Sequence, residues 1–302
     1  MSHRHDVPTS VRPERTLTRC GLWATGPVQL QLPFEATGLS ERIQAEGRLK
    51  LTPDYDVFAW LCERQLSRPT VTGWMRPTLY EVGSALYGRP PSNADYRQLR
   101  AALDRLASVA VTIDDYDIET GAFRDNWVSR DNLMALGRPT REDPTGLQRP
   151  SIRFAEWLRQ ALAEERVVRM PWRTLRSFGR KQQLAKRLWL YLAAERWKRQ
   201  GAGDVEATWI RCGDQLEAAL GMDYGRPRDA RAALKRACVT IRRVDARYAA
   251  GALDVVQVGR HNWRIAAERP TWEVWRELRA EHAAVREAVR GSLSGPSEPR
   301  GS

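Results

Sequence analysis

The sequence predicts an α+β chain, mainly helical, built as two tandem winged-helix units, each a helix-turn-helix completed by a β-hairpin wing. Three observations carry this expectation. First, a short helix, then a polar arginine-bearing helix, then a β-branched stretch occurs twice. One copy runs Ser92 to Leu106 and into Val109–Ile113; the other runs Arg226 to Arg236 and into Cys238-Val239-Thr240-Ile241. Second, a hairpin-like pair of segments follows each copy. Third, the chain of 302 residues is strongly basic, with net charge +12 and pI ≈ 10.0, a balance that favours a polyanionic partner.

The elements follow in order. Residues 1–47 read as an N-terminal extension, polar, proline-interrupted and partly disordered, with Val28–Leu32 alternating as a short strand. A first unit spans 48–165. Its first helix opens at Thr52-Pro53, Thr52 capping and Pro53 in the first helical position, and Val57, Trp60 and Leu61 form an apolar face. Thr78 to Tyr87 is the second helix, stopped by Gly88 with Pro90 and Pro91 beyond. Ser92 or Asn93 caps the third. There Tyr96, Leu99, Leu103 and Leu106 recur at helical spacing and face a core, while Arg97, Gln98, Arg100, Asp104 and Arg105 fall largely on the other side. Val109–Ile113 and Ala122–Ser129 are the strands of the first wing, turning at Glu119-Thr120-Gly121. Arg138 to Pro150 is a loop, Ser151–Phe154 a strand and Ala155–Glu165 a helix.

The second unit spans 166–268, with 166–178 as the link. Gln182–Lys198 bears apolar residues on more than one face, so it is deeply packed. Trp209-Ile210 precedes a short helix, Asp214–Leu220, and the turn Asp223-Tyr224-Gly225. Pro227 then opens the second basic helix: Ala230, Leu234, Ala237, Cys238 and Ile241 suit a core, and Arg228, Asp229, Ala232, Lys235 and Arg236 point outward, with Arg231 at the boundary. Strands Ala252–Val258 and Asn262–Ala266 turn at Gly259-Arg260-His261. Residues 269–302 read as a terminal helix over Trp272–Val289 and a disordered tail rich in Gly, Ser and Pro.

Composition narrows the function. The apolar fraction is 42%, and twelve Trp supply large buried area. Cys20, Cys62, Cys212 and Cys238 form no Cys-x-x-Cys pair, so neither a zinc site nor a disulfide framework is expected. No apolar run is long enough to span a membrane and the N-terminus lacks a signal-peptide core; a cytoplasmic location is expected. No Gly-Lys pair exists for a phosphate-cradling loop, which argues against an ATPase. His3-Arg4-His5 has the spacing of a metal pair but sits in a polar tail, so a nickase is not expected. Asp114-Asp115 reads as strand-edge solvation rather than a two-metal site. No catalytic residue, metal or cofactor is assigned.

Three stretches resemble a known group: Gly47-Arg48-Leu49-Lys50-Leu51-Thr52-Pro53 leading to Val57, Asn93 to Leu106 followed by Val109–Ile113, and Lys186-Arg187-Leu188-Trp189-Leu190-Tyr191-Leu192. Over about residues 26–268 the chain resembles plasmid replication initiators of the iteron-binding, tandem winged-helix Rep kind, which includes the replication initiator A and TrfA-type proteins. The resemblance implies binding to direct repeats at a plasmid origin and opening of an adjacent AT-rich stretch. It also implies recruitment of host initiator and replicative helicase, and repression of the chain's own gene through dimers on an inverted repeat. In that group the C-terminal unit commonly carries the main reading helix and the N-terminal unit supplies dimer contacts and further DNA contacts.

The candidate DNA-binding residues are Arg97, Arg100 and Arg105 in the first unit and Arg226, Arg228, Arg231, Lys235, Arg236 and Arg260 in the second. Arg124 and His261 are further wing candidates. Arginine's planar fork can donate two hydrogen bonds to guanine, while Lys and Arg on phosphates add affinity without sequence information. Arg228, at a helix N-terminus, is the leading candidate for base readout. Arg187, among large apolar residues, reads as a packing or salt-bridge residue, and Trp189 and Tyr191 read as core. A winged-helix repressor or plasmid partition factor would use the same DNA chemistry, and a scaffold binding an acidic protein would use the same basic faces.

Overall fold

The computed structural model describes residues 8–13, 17–18, 22–24, 42–46, 49–117, 122–137, 149–201, 208–209, 220, 226–245, 248, 253–257 and 263–266. The strand expected at 28–32, the turns at 119–121, 223–225 and 259–261, nearly all of the helix expected at 214–220, most of the 138–150 loop, and everything after 266 lie outside the described residues. Within them the chain is mainly helical, with short strands in several small sheets.

Helix α1 (Asp54–Ser67) starts one residue later than expected, with Pro53 rather than Thr52 at the N-cap. Thr52 is used elsewhere: its hydroxyl accepts a hydrogen bond from Lys186 Nζ at 2.7 Å. The first turn of α1 is held by Asp54, whose carboxylate accepts from the Lys50 backbone N–H at 2.8 Å. Helix α2 (Leu79–Tyr87) begins with a capping box between Thr78 and Glu81 and ends at Gly88, whose φ of 67° is the left-handed conformation that favours glycine. Helix α3 (Asn93–Ser108) is capped by Ser92, not Asn93, in a second box with Asp95. A hydrogen bond from Arg89, seconded by those from Ser92, holds the Asp95 carboxyl down at about 2. Leu99, Leu103 and Leu106 are buried and Tyr96 is half-buried against the same core.

From α3 the chain turns at Val109 into the antiparallel pair β5 (Ala110–Asp117) and β6 (Ala122–Asn132), with a register irregularity between Asp114 and Tyr116. A third strand, β3 (Arg42–Glu46), pairs antiparallel with β5. Two more strands of the same N-terminal stretch are built into the fold. β1 (Ser10–Val11) pairs with β9 (Met170–Pro171), and β2 (Trp23–Ala24) runs parallel to β4 (Leu49–Lys50). Arg12 adds a two-pronged ion pair with Glu63 of α1, both contacts 2.9 Å. The stretch read as an extension therefore helps to complete the first unit. Two-residue strands carry no alternating pattern, so nothing in their sequence announces them.

Strands β7 (Met134–Leu136) and β8 (Ile152–Phe154) pair antiparallel, Met75 bridges to Ile152, and helix α4 (Glu156–Ala163) follows. The expected link is structured and packed. Met170 of β9 is buried, and Trp172, opening helix α5 (Trp172–Ser177), donates its indole N–H to the Ala85 carbonyl of α2 at 3.3 Å.

A short 3-10 turn (Arg180–Gln182) leads into helix α6 (Gln183–Gly201), where every residue from Ala185 to Leu192 is buried. Helix α7 (Pro227–Val244) corrects the reading of its C-terminal half. The β-branched stretch Cys238-Val239-Thr240-Ile241 does not leave the basic helix but continues it to Val244, with Cys238 and Ile241 on its core face. Ala230, Leu234, Ala237, Cys238 and Ile241 are all buried; their spacing continues one apolar stripe, and burying that stripe outweighs the modest β preference of Val, Thr and Ile. Asp245 ends the helix, its N–H bonding to the Ile241 carbonyl and its carboxylate accepting from the Trp189 indole of α6 at 2.7 Å. Beyond it, β10 (Thr208–Trp209), β12 (Trp263–Ala266) and β11 (Asp254–Gln257) form one antiparallel sheet in that order.

One apolar core runs through both units. At their boundary Lys186 of α6 meets Asp56 of α1, with Nζ 2.6 and 2.8 Å from the two carboxylate oxygens. With Thr52 as third acceptor, all three ammonium donors are used. Burial pushes the Asp56 carboxyl up and the Lys186 ammonium down, and their mutual attraction opposes both shifts. Arg187 lies next to this pair and donates to the Thr18 carbonyl at 2.8 Å, consistent with a packing role. Breaking the pair leaves a buried carboxylate alone. Lys186→Met is expected to cost about 3–5 kcal/mol in urea unfolding, and the double change with Asp56→Leu to recover most of that loss.

Candidate nucleic-acid interface

The site is built on α7. Arg226 at the N-cap and Pro227 in the first turn set the start of the helix. Eighteen residues at about 1.5 Å each give an axis of about 27 Å. The face opposite the buried stripe carries Arg228, Asp229, Lys235 and Arg236, all exposed, with Arg231 half-buried at its edge. Because the helix runs on to Val244, the same face also receives half-buried Arg242 and exposed Arg243. A strand at 238–241 would have ended the basic helix before them, so the sequence reading missed both. Arg228, Lys235, Arg236 and Arg243 have no ion-pair partner among the described residues. Between them lies an apolar strip, Ala232 and Val239, the latter 40% exposed.

The face of α3 is different. Arg97 is exposed and Arg100 half-buried, its Nε buried without a hydrogen-bond partner, and Gln98 and Asp104 share the surface with them. Arg105 is committed elsewhere. Its Nε and Nη2 donate to the two carboxylate oxygens of Asp54 at 2.8 and 2.7 Å, and Asp54 is fully buried. That hydrogen bond, the strongest influence on it, raises the Arg105 pKa. Arg105 thus joins α3 to the start of α1, and its fork is already filled. The first unit presents two arginines and an aspartate where the second presents six basic residues, Arg228, Arg231, Lys235, Arg236, Arg242 and Arg243, against Asp229.

Arg260 and His261 lie outside the described residues, and Arg124 lies on β6. Among the described residues no group of three or more His, Cys, Asp or Glu is placed to hold a metal ion. Cys62 and Cys238 are free thiols, both buried. Among the same residues no helix is long and apolar enough to cross a membrane.

No protein-family model matches the chain, and no curated protein matches it. Among solved structures it is similar to domains 2 and 3 of RctB. A selenomethionine form gives a TM-score of 0.45 at 10% identity over 80% of this chain and 94% of that one. A second structure of the same two domains gives 0.45 at 11% identity over 87% and 99%.

The two uses of arginine are separable by measurement. Arg105→Met is expected to destabilise the protein by about 3 kcal/mol, because it strands the Asp54 carboxylate in the core. Arg97→Ala, at an exposed position, is expected to change stability by less than about 0.5 kcal/mol. Equal losses in denaturant titration would contradict the assignment of Arg105 to the fold.

Proposed function

We propose that the chain is a non-enzymatic, cofactor-free replication initiator that binds origin repeats in duplex DNA and reads them chiefly through α7. The single observation that carries the reading is the long outward face of α7, basic along its length and unpaired at its centre. The order of elements supports it: in the second unit a helix, a strand, a basic helix and two further strands follow one another, and β10 pairs with β12 behind α7. A winged helix would follow this order, and in that class the helix before the hairpin enters the major groove. The first unit repeats the scheme with α2, α3 and the β5–β6 hairpin, and Arg97 and Arg100 make it a weaker second contact.

On this reading Arg228 and Arg231, near the N-terminus of α7, meet base edges; Lys235, Arg236, Arg242 and Arg243 reach phosphates and supply affinity. The sequence resemblance extends the proposal to a plasmid origin with direct repeats, opening of an AT-rich stretch, and recruitment of host initiator and helicase. It also extends to dimers that repress the chain's own gene at an inverted repeat.

Selection of bound duplexes from a random-sequence pool, at near-physiological salt with excess competitor, tests the core of this. Recovery of a long motif covering two adjacent major grooves is the expected outcome, and its occurrence as direct repeats beside an AT-rich stretch identifies the origin. A motif found only as an inverted repeat at a promoter would point to a repressor instead. Binding without any motif, lost as salt rises, would remove the reading. Arg228→Ala and Lys235→Ala are each expected to weaken binding to the selected duplex about tenfold. Arg159→Ala, on α4 and paired with Glu156, should leave it unchanged.

A further inference from the structure

We propose that the junction between the two units holds a seat for one DNA backbone phosphate, formed by Arg176, Arg180 and Arg89 around the Tyr87 hydroxyl. The proposal rests on the DNA-binding reading above and adds a contact surface that lies on neither basic helix.

Arg176, on α5, is half-buried, and its guanidinium lies directly against Gly88. A Cβ at that position would stand 2.5 Å from Arg176 Nη2, so any other residue there would push the guanidinium aside. Its Nε is buried without a hydrogen-bond partner, and its side chain makes no hydrogen bond or ion pair among the described residues. Burial draws its pKa below the ordinary guanidinium value, opposed by attraction to Asp56. Asp56 has both oxygens on Lys186 and does not bond to Arg176.

Next in the chain to Gly88, the Tyr87 hydroxyl is likewise buried without a partner. Burial raises its pKa, so it keeps its proton and can donate. Arg89 stacks 5.5 Å from the Tyr87 ring centroid. It bonds to Asp95 and to the Pro90 carbonyl through Nη1 alone, which leaves Nη2 and Nε open on an exposed side chain. Arg180, exposed in the 3-10 turn, is close enough to act electrostatically on the same hydroxyl, and exposed Lys181 adjoins it. The acidic neighbours are already engaged, Asp56 by Lys186 and Asp95 by Arg89 and Ser92.

A desolvated guanidinium and a buried donor without an acceptor are each unfavourable. An anion held between them would meet both needs, in the charge-assisted geometry that arginine suits best. The position selects the anion. Arg89 is tied to Asp95 in the first turn of α3, so the cluster flanks the N-terminal end of the first unit's basic helix. A helix lying in the major groove has a phosphate ridge on each side, and that is where such a cluster would meet the backbone.

The test uses the full-length chain and the duplex recovered by selection, with single methylphosphonates walked along both strands. Wild type is expected to lose affinity at one backbone position that Arg176→Gln, Arg180→Ala and Tyr87→Phe no longer sense. The two arginine variants should also lower the slope of log affinity against log salt by about 0.9 each. Their melting temperatures should stay within about 3 °C of wild type. Identical interference patterns and slopes in wild type and in Arg180→Ala, whose exposed side chain carries no fold contact, would overturn the seat while leaving the DNA reading intact. Failure of wild type to select any motif would overturn both. Inorganic phosphate that stabilises the free protein through Arg176, with the interference pattern unchanged, would assign the seat to a small anion and also overturn the proposal.

Discussion

The buried contact of Lys186 with Asp56 fixes how the two units register on each other. Each charge alone would be strongly unfavourable in that interior, and together they are tolerated only because the ammonium finds three acceptors at 2.6 to 2.8 Å. That requirement is directional. An apolar contact between α1 and α6 could slide by a fraction of a turn at little cost; a saturated ammonium cannot. The other polar contacts across the core, Arg187 to the Thr18 carbonyl and Trp172 to the Ala85 carbonyl, hold the same registration from further along. The consequence is geometric: with α1 and α6 locked, the helices packed on them, α3 and α7, keep a fixed separation, which the proposed function would use to set two contact surfaces on one DNA duplex.

Arginine is the commonest cation on both candidate helices, yet its use differs with its surroundings. On α3 a fully buried carboxylate, Asp54, captures Arg105, and the bidentate pair closes the top of α1 onto α3. On α7 Arg228, Lys235, Arg236 and Arg243 have no ion-pair partner among the described residues. Sequence spacing alone could not separate these cases. Arg105 and Arg228 both sit on the polar side of an amphipathic helix. Asp54 is fifty-one positions from Arg105, and only the fold brings them together.

Much of the helical architecture was legible. Capping residues and glycine stops placed α2 and α3, and the apolar residues scattered round α6 announced its burial. Two kinds of feature were not. The short pairs β1–β9 and β2–β4 are too brief to show a period, and they turn residues read as an extension and a link into parts of the packed structure. The second half of α7 is ambiguous for the opposite reason, because two signals in it disagree. Val239, Thr240 and Ile241 suggest a strand by type, while Leu234, Ala237, Cys238 and Ile241 demand a helix by spacing. Local preference is worth a few tenths of a kcal/mol per residue, and burying a stripe of this size is worth several kcal/mol, so the spacing prevails.

That extension changes what α7 can do. A helix ending near Arg236 would carry its cations in its first three turns only. Running to Val244, it carries them at both ends, Arg228 and Arg231 at one and Arg242 and Arg243 at the other, with Ala232 and Val239 between. A straight helix can follow the floor of a curved groove only over part of its length, so the two ends meet different parts of the duplex. On the reading proposed above, the N-terminal arginines would approach base edges, and the C-terminal ones would come up against the phosphate ridge as the groove turns away. Lys235 and Arg236 keep the centre basic as well, and on the proposed reading Ala232 and Val239 between the cations would present methyl groups where thymine presents its own. On that reading specificity and affinity would fall to different turns of one helix, and the same buried stripe that makes the helix long would hold both in place.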